Sequence, residues 1–394
     1  MDDFHLTKIL PPYIFAKIDQ LKIDARNRGI DVIDYGMGNP DITPPQHVID
    51  ELVELTKDPE LYGYSVSGGM ERLKKAISDY YRHRFHVSLD HNSETLVTIG
   101  AKEGLTSLAT AISNHENYII VPNPSYPIHT FAFIIAKSRA ISIDGPSPAE
   151  FLKNFKNHVE NSESKPAAVI VNFPCNPTTQ IVGLDFYEEL VEFCLRHKIY
   201  IISDLAYCEI YFGEENRPHS ILEVKNAKDI AIEFSSASKS YSMAGCRVGF
   251  AAGNKKLIQA LRKIKSYLDY GSFMPLQLAA ISAMSEKTDK YLEQTRETYY
   301  NRAVFLQKEL KNKLGWEVNL PKATMFIWAK IPEKFKDINS FDFCDQLIKE
   351  TGVALSPGSS FGSKGDGFVR FSLIHDDKRT IEAIDRMKIF FDKF

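Results

Sequence analysis

Six short apolar runs, most of them separated by helical patterns, dominate the middle of the chain. They are TLVTI (95–99), NYIIVP (117–122), AAVIVNF (167–173), IYIISD (199–204), DIAIEFSS (229–236) and RVGFAAG (247–253). Each is continuous rather than alternating, the mark of a strand buried on both faces. Helix patterns such as GLTSLATAI and FYEELVEFCLRHK lie between them. That alternation demands a mostly parallel sheet covered on both sides by helices, an α/β fold. RVGFAAG follows DIAIEFSS too closely for a helical crossover, so an antiparallel pairing suits those two.

At 394 residues the chain exceeds what one core usually serves, and two domains sharing a cleft are expected. The texture changes between residues 285 and 295. A long charged helix pattern, DKYLEQTRETYYNRAVFLQKELKNKL, leads into WEVNLP, TMFIWAKI and GFVRFSLI, read as strands with one helix among them and one after. This is an α+β unit. The expected division is a large domain over 46–288 and a small one over 289–394, with residues 1–45 as an arm packed on the small domain. No repeat or low-complexity segment interrupts it.

Several classes are disfavoured by composition. With 44% hydrophobic and 25% charged residues and a net charge of −3, the chain reads as an ordinary globular protein with no nucleic acid or membrane as main partner. MDDFHLTKILPPY begins acidic and lacks a signal-peptide pattern, and no apolar run approaches a membrane span. Cys175, Cys194, Cys208, Cys246 and Cys344 are odd in number and widely spaced, with no C-x-x-C. A reduced, cytoplasmic protein without disulfides or zinc is expected.

Open parallel sheets bind ligands at the carboxyl ends of their strands. TLVTI exits into Gly100-Ala101-Lys102-Glu103-Gly104 and a helix, an N-terminus able to cradle an anion. The following exits carry Tyr126, then Asn176 before Pro177, then Asp204 with Tyr207, then Ser236, Ser238 and Lys239. Arg247 sits in a Gly-x-Arg-x-Gly stretch just beyond. Singly, each has a plainer reading: a strand-end carboxylate caps a turn, Asn-Pro starts one, and a lone tyrosine packs. Together they suit pyridoxal phosphate. An amine can form a Schiff base with its aldehyde, and a carboxylate can keep its ring nitrogen protonated. A phenol and an amide can bond the ring hydroxyl, an aromatic can stack, and an arginine with a helix N-terminus can hold the phosphate.

These residues resemble a known family. Ser236-x-Ser238-Lys239, followed by Arg247 between Gly245 and Gly249, is similar to the lysine signature of class I/II aminotransferases of PLP fold type I. Gly36-Met37-Gly38-Asn39-Pro40-Asp41, Tyr62-Gly63-Tyr64, Asn176-Pro177-Thr178, Asp204-x-x-Tyr207 and Phe368-Val369-Arg370-Phe371-Ser372 extend the resemblance over nearly the whole chain. It implies a large domain with a mostly parallel seven-stranded sheet, a smaller α+β domain and pyridoxal 5′-phosphate as cofactor. Lys239 would be the Schiff-base lysine and proton shuttle, Asp204 would face the pyridine nitrogen, and Tyr207 and Asn176 the ring hydroxyl. Tyr126 would stack on the ring, while Ala101, Lys102, Ser236, Ser238 and Arg247 would surround the phosphate. Arg370 would take the substrate α-carboxylate, and the Gly38 loop would close over it. Tyr64 would reach the phosphate of a neighbouring subunit, implying a homodimer with composite sites.

Within the family, LPPYIF (10–15), YGMGNPD (35–41), TIGAKEGL (98–105), VPNPSYPIH (121–129), KSYLDYG (265–271) and SPGSSFG (356–362) resemble bacterial glutamate–pyruvate, alanine-forming aminotransferases. The expected reaction interconverts L-alanine and 2-oxoglutarate with pyruvate and L-glutamate by ping-pong transamination. LL-diaminopimelate and aspartate or aromatic aminotransferases, or a lyase or synthase on the same fold, are the alternatives. Cys246 stands where tryptophan is usual, and Thr179 where glycine or alanine often follows Asn-Pro-Thr. No arginine near Tyr270-Gly271-Ser272 offers itself to a second substrate carboxylate.

Three other patterns point elsewhere. Gly358-Ser359-Ser360-Phe361-Gly362 matches G-x-S-x-G with Asp366 and His375 following, a hydrolase order, but it leads toward a strand where a nucleophile elbow needs a helix. A non-catalytic ligand-sensing module of this fold would carry a DNA-binding segment ahead of it, and none is read here. His83 and His86 form the one close histidine pair, in a basic helical stretch with no Cys or Glu partner, so no metal site is expected.

Overall fold

The computed structural model describes residues 4–11 and 14–394. Pro12 and Tyr13 of the LPPYIF motif lie outside the described residues. All six apolar runs contribute strands to one seven-stranded sheet. Across the sheet the order is Thr95–Thr98, Gly249–Gly253, Ala231–Ser236, Tyr200–Asp204, Ala168–Asn172, Tyr118–Asn123 and Arg139–Asp144. Gly249–Gly253 runs antiparallel to both neighbours, and the remaining pairs are parallel. The expected antiparallel pairing therefore forms, with Ser236 opposite Gly249.

The seventh strand, Arg139–Asp144, carries no continuous apolar run. It lies at the sheet edge, where one side faces solvent, and its residues are exposed or half-buried apart from Ile143. Apolar residues fill both faces of the sheet. Val97, Ile120, Val169, Val171 and Ile201 belong to one cluster, and Leu96, Ile119, Ile170, Ile202 and Phe234 to the other. That split of neighbouring residues is the period-two geometry of a strand buried on both sides.

A separate apolar cluster forms around Trp316, Phe326, Phe343, Phe371 and Phe390. Here Phe368–Ser372 pairs antiparallel with Phe326–Lys330 and with Ser356–Pro357. The helices Asp289–Leu314, Ser340–Thr351 and Asp377–Phe391 belong to the same part of the chain. Ile18, Ile33 and Tyr35 join this cluster, and Ile33–Asp34 pairs in parallel with Val353–Ala354. WEVNLP, read above as a strand, is not one. It joins no ladder: the Trp316 N–H donates to the Leu310 carbonyl at 3.1 Å, and the Gln307 side chain donates to the Val318 carbonyl at 2.7 Å. The Trp316 indole N–H donates to the Lys330 carbonyl at 2.8 Å, so the aromatic fills the core as a wedge. No helix among the described residues is long and apolar enough to cross a membrane.

A buried polar knot lies inside the large sheet's packing. Glu233 is fully buried and accepts from the hydroxyls of Ser220 at 2.6 Å, Ser203 at 2.9 Å and Tyr81 at 3.0 Å. Burial outweighs these bonds and pushes its carboxyl up to about 7. Between its ordinary value of 4.5 and about 7, the folded state holds the extra proton, so stability falls as pH rises through that window. Glu233→Gln removes this dependence. Denaturant titrations from about pH 4.5 to 7.5 should show the wild type losing stability relative to Glu233→Gln, by up to about 3 kcal/mol.

Candidate active site

The carboxyl ends of the parallel strands open onto a cavity of about 390 Å³. Ala101, Lys102, Tyr126, Asn176, Asp204, Tyr207, Ser236, Ser238, Lys239, Arg247, Gly38 and Arg370 all line it. Tyr64 does not. It is 86% exposed on the same chain, with its ring 4.7 Å from that of Tyr270.

One end of the cavity is built for an anion. Helix Ala101–Ile112 begins there directly after Gly100, and its first N–H groups have no helical acceptor. The Glu103 carboxylate folds back to accept from the Ile99 N–H at 2.8 Å, which fixes the turn. Ser236 and Ser238 place their hydroxyls 2.8 Å apart. Arg247 reaches Ser238 Oγ at 3.4 Å and is braced by the Ala244 carbonyl at 2.8 Å. Arg247 stands before the strand rather than in it, at a left-handed φ of 54°. Two glycines make the cradle possible. Gly100 has φ +79°, and a Cβ there would stand 2.1 Å from Arg247 Nη2. A Cβ on Gly249 would meet Ala101 N at 2.7 Å, a backbone atom that cannot swing away.

A hydrogen-bonded chain fixes the carboxylate. Asp204 is buried, and its Oδ2 lies 3.0 Å from His129 Nε2. His129 Nδ1 lies 2.7 Å from Ser125 Oγ. Asp204 Oδ1 accepts from the Ala206 N–H at 3.2 Å, and its main-chain carbonyl accepts from Asn172 at 2.7 Å. Asn172 in turn accepts from the Asn176 N–H at 3.0 Å. His129 is not among the residues the sequence singles out. It sits in the apolar helix Ile128–Ile135, where a lone histidine reads as core, and only the pairing of sheet and helix brings it to Asp204.

Arg370 closes the other end. It is buried, with Nη1 donating to Asn176 Oδ1 at 2.7 Å and Nη2 to the Gly36 carbonyl at 2.9 Å. Its guanidinium lies over the Phe326 ring, 4.1 Å from the centroid. Lys239 stands between the two arginines and donates to the Gly38 carbonyl. Burial, then Arg370, then Arg247 lower its amine from 10.5 to about 8. Burial pushes the Tyr207 phenol well above its ordinary value.

Comparison with known proteins places this arrangement. The family model described as "Aminotransferase class I and II" matches residues 30–387. The chain belongs to that family. The aminotransferase is 44% identical to the Escherichia coli glutamate–pyruvate aminotransferase AlaC, over 97% of this chain and 92% of the relative. It is 36% identical to the Aquifex aeolicus LL-diaminopimelate aminotransferase, over 97% of both chains. The substrate-bound BacF structure from Bacillus subtilis superposes with a TM-score of 0.88 at 30% identity, covering 98% of this chain and 96% of that one. The protein is therefore a pyridoxal-phosphate-dependent aminotransferase with the α/β architecture of fold type I.

The residues of this aminotransferase fit that cofactor by their own chemistry. The cradle at Ala101, with two hydroxyls and a guanidinium, suits a phosphate dianion. A buried carboxylate, a phenol, an amide and a primary amine line the same space. The hydrolase order is absent from the geometry. Gly358–Phe361 is a 3-10 turn, Asp366 accepts from the Ser340 N–H at 2.7 Å, and His375 bonds the Asp34 carbonyl at 3.1 Å. His83 and His86 are exposed at the end of helix Glu71–Phe85, and no group of three metal-ligating side chains gathers among the described residues. Thr179 takes φ 61°, a left-handed conformation strained for a β-branched residue.

Both the amine and the cradle can be probed directly. In cofactor-free protein, trinitrobenzenesulfonate labelling of Lys239, followed by peptide mass spectrometry, should rise with a midpoint near pH 8, about two units below ordinary lysines. Gly249→Ala should weaken cofactor binding at least about tenfold, equivalent to about 1.4 kcal/mol, as read by equilibrium dialysis.

Proposed function

We propose that this aminotransferase exchanges the amino group between L-alanine and 2-oxoglutarate, giving pyruvate and L-glutamate in two half-reactions with ping-pong kinetics. The observation that carries the reading is the setting of Arg370. Its guanidinium lies over the Phe326 ring, which lines the same cavity and offers an apolar wall suited to the methyl of alanine. The 44% identity to a glutamate–pyruvate aminotransferase supports the same choice.

In this reading, pyridoxal phosphate when bound supplies an electron sink for the negative charge developing at the substrate Cα. The chain's own groups do the rest. Arg370 takes the α-carboxylate in a bidentate pair, with Asn176 and Gly36 holding its guanidinium in plane. Lys239 Nζ removes the Cα proton, for which it acts as the neutral amine. Asp204 would keep a proton on the ring nitrogen, with His129 orienting that carboxylate. Tyr207 and Asn176 would bond the ring hydroxyl, and Tyr126 would face the ring. Ala101, Lys102, Ser236, Ser238 and Arg247 would hold the phosphate. Gly38 lets its loop close, since a Cβ there would meet the Phe326 ring at 2.9 Å.

Tyr64 is assigned to the phosphate of a second copy in a homodimer, consistent with its exposure beside Tyr270. We place the large domain at 46–288 and the small one at 289–394, with the first 45 residues on the small domain.

A single half-reaction tests the reading. Adding L-alanine without an oxo acid to cofactor-loaded enzyme should release about one pyruvate per site. A loaded enzyme that ignores alanine and turns over LL-diaminopimelate would overturn the alanine reading and leave the aminotransferase class standing. Lys239→Ala should lose multiple turnover. Arg370→Lys should raise the KM for alanine by about 10- to 100-fold, because a lysine cannot make the bidentate pair.

A further inference from the structure

We infer that Lys22 and Asp34 form a partly buried ion pair that positions the Gly36–Gly38 loop for substrate-carboxylate recognition by Arg370. The inference rests on the role given to Arg370 above. Lys22 lies on helix Ile14–Asn27 and is 6% exposed, an unusual place for an ammonium group. Its Nζ stands 2.8 Å from Asp34 Oδ2 and 2.5 Å from Asp19 Oδ1. Such burial is tolerated only with close counter-charges.

Asp34 divides its two oxygens. Oδ2 meets Lys22, while Oδ1 accepts from the N–H groups of Gly36 at 2.8 Å and Met37 at 3.2 Å. The ion pair thereby fixes the start of the loop. From there the loop's carbonyls reach the cavity. Gly36 accepts from Arg370 Nη2 and from Ser356 Oγ, and Gly38 accepts from Lys239 Nζ. A continuous polar path thus runs from the helix through Asp34 to the two cationic heads of the cavity.

Charge makes the same point. Asp19 and Lys22 themselves line the cavity. Without the amine, Asp19 would leave an uncompensated carboxylate in the wall of a site that must admit another carboxylate, and Asp34 would lose its counter-charge behind Gly36. A mere staple between helix and sheet would change stability alone. A positioning pair changes how tightly the donor binds.

The experiment uses cofactor-loaded enzyme and whichever amino donor the wild type turns over, so failure of the alanine reading appears in the wild type first. Steady-state kinetics are measured for Lys22→Met, Lys22→Arg and Asp34→Ala. Binding of propionate, a carboxylate without the amine, is followed by calorimetry. Lys22→Met and Asp34→Ala should raise both KM and the propionate Kd at least about tenfold, with kcat within about threefold and the cofactor band unchanged. Lys22→Arg should restore both constants to within about threefold, since it keeps the charge. A lowered melting temperature with KM and Kd unchanged overturns the proposal, as does loss of kcat together with the cofactor band. If Asp34→Ala does not fold, Lys22→Met against Lys22→Arg decides.

Discussion

An excess of positive charge in one cavity is the constraint on which the rest of the site depends. Arg370, Lys239 and Arg247 converge on one space, opposed by the Asp204 carboxylate. Burial and the two guanidiniums disfavour the charged form of Lys239, and its lowered amine is the visible result. In the proposed function, anions would relieve the repulsion at two ends: a phosphate at the helix cradle by Arg247, and a carboxylate at Arg370. Between them, Lys239 answers to both, so anions at either end favour its charged form. The protein tunes its base with the ligands it has to hold.

That arrangement needs backbones closer together than side chains permit. Gly249 lets the antiparallel strand approach the first turn of helix Ala101–Ile112, and Gly100 leaves room for the Arg247 head. The single reversed strand is therefore functional. It delivers Arg247, just before Gly249, to the end of the sheet where the parallel strands already place Asp204 and Lys239.

Much of this is legible from the residues. Continuous apolar runs are hard to mistake, and their exits name the polar groups at the sheet end of the cavity, from Ala101 and Lys102 to Lys239; Gly38 and Arg370 come only from the family resemblance. The misses have separate physical causes. Arg139–Asp144 is an edge strand with no doubly buried run, and WEVNLP has strand-like residues that pair with no neighbouring strand, its Val318 carbonyl taken by the Gln307 side chain. His129 and the Lys22–Asp34 pair lie outside local reading for another reason. A lone histidine in an apolar helix and two charges twelve residues apart gain meaning only when tertiary structure removes water around them. Sequence patterns register which side chains are apolar; they carry little about which polar ones will be buried together.

The cradle is also tied to the surface. Glu103, which fixes the turn at Ile99, accepts from the fully buried Lys265 at 3.0 Å, and Lys265 holds Asp269 at 2.8 Å. Asp269 accepts from the Gly271 N–H at 2.7 Å, and Gln277 joins Ser65 at 2.9 Å to the Ser272 carbonyl at 2.7 Å. These bonds hold the loops carrying Tyr64 and Tyr270, both largely exposed, with their rings together. An aromatic pair left in water would ordinarily be free to collapse onto its own chain. Here its loops are cross-braced within one chain, and in the proposed dimer such bracing would lower the entropy cost of docking. In the proposed dimer, the network that shapes one cradle would therefore also present the tyrosine that completes the other.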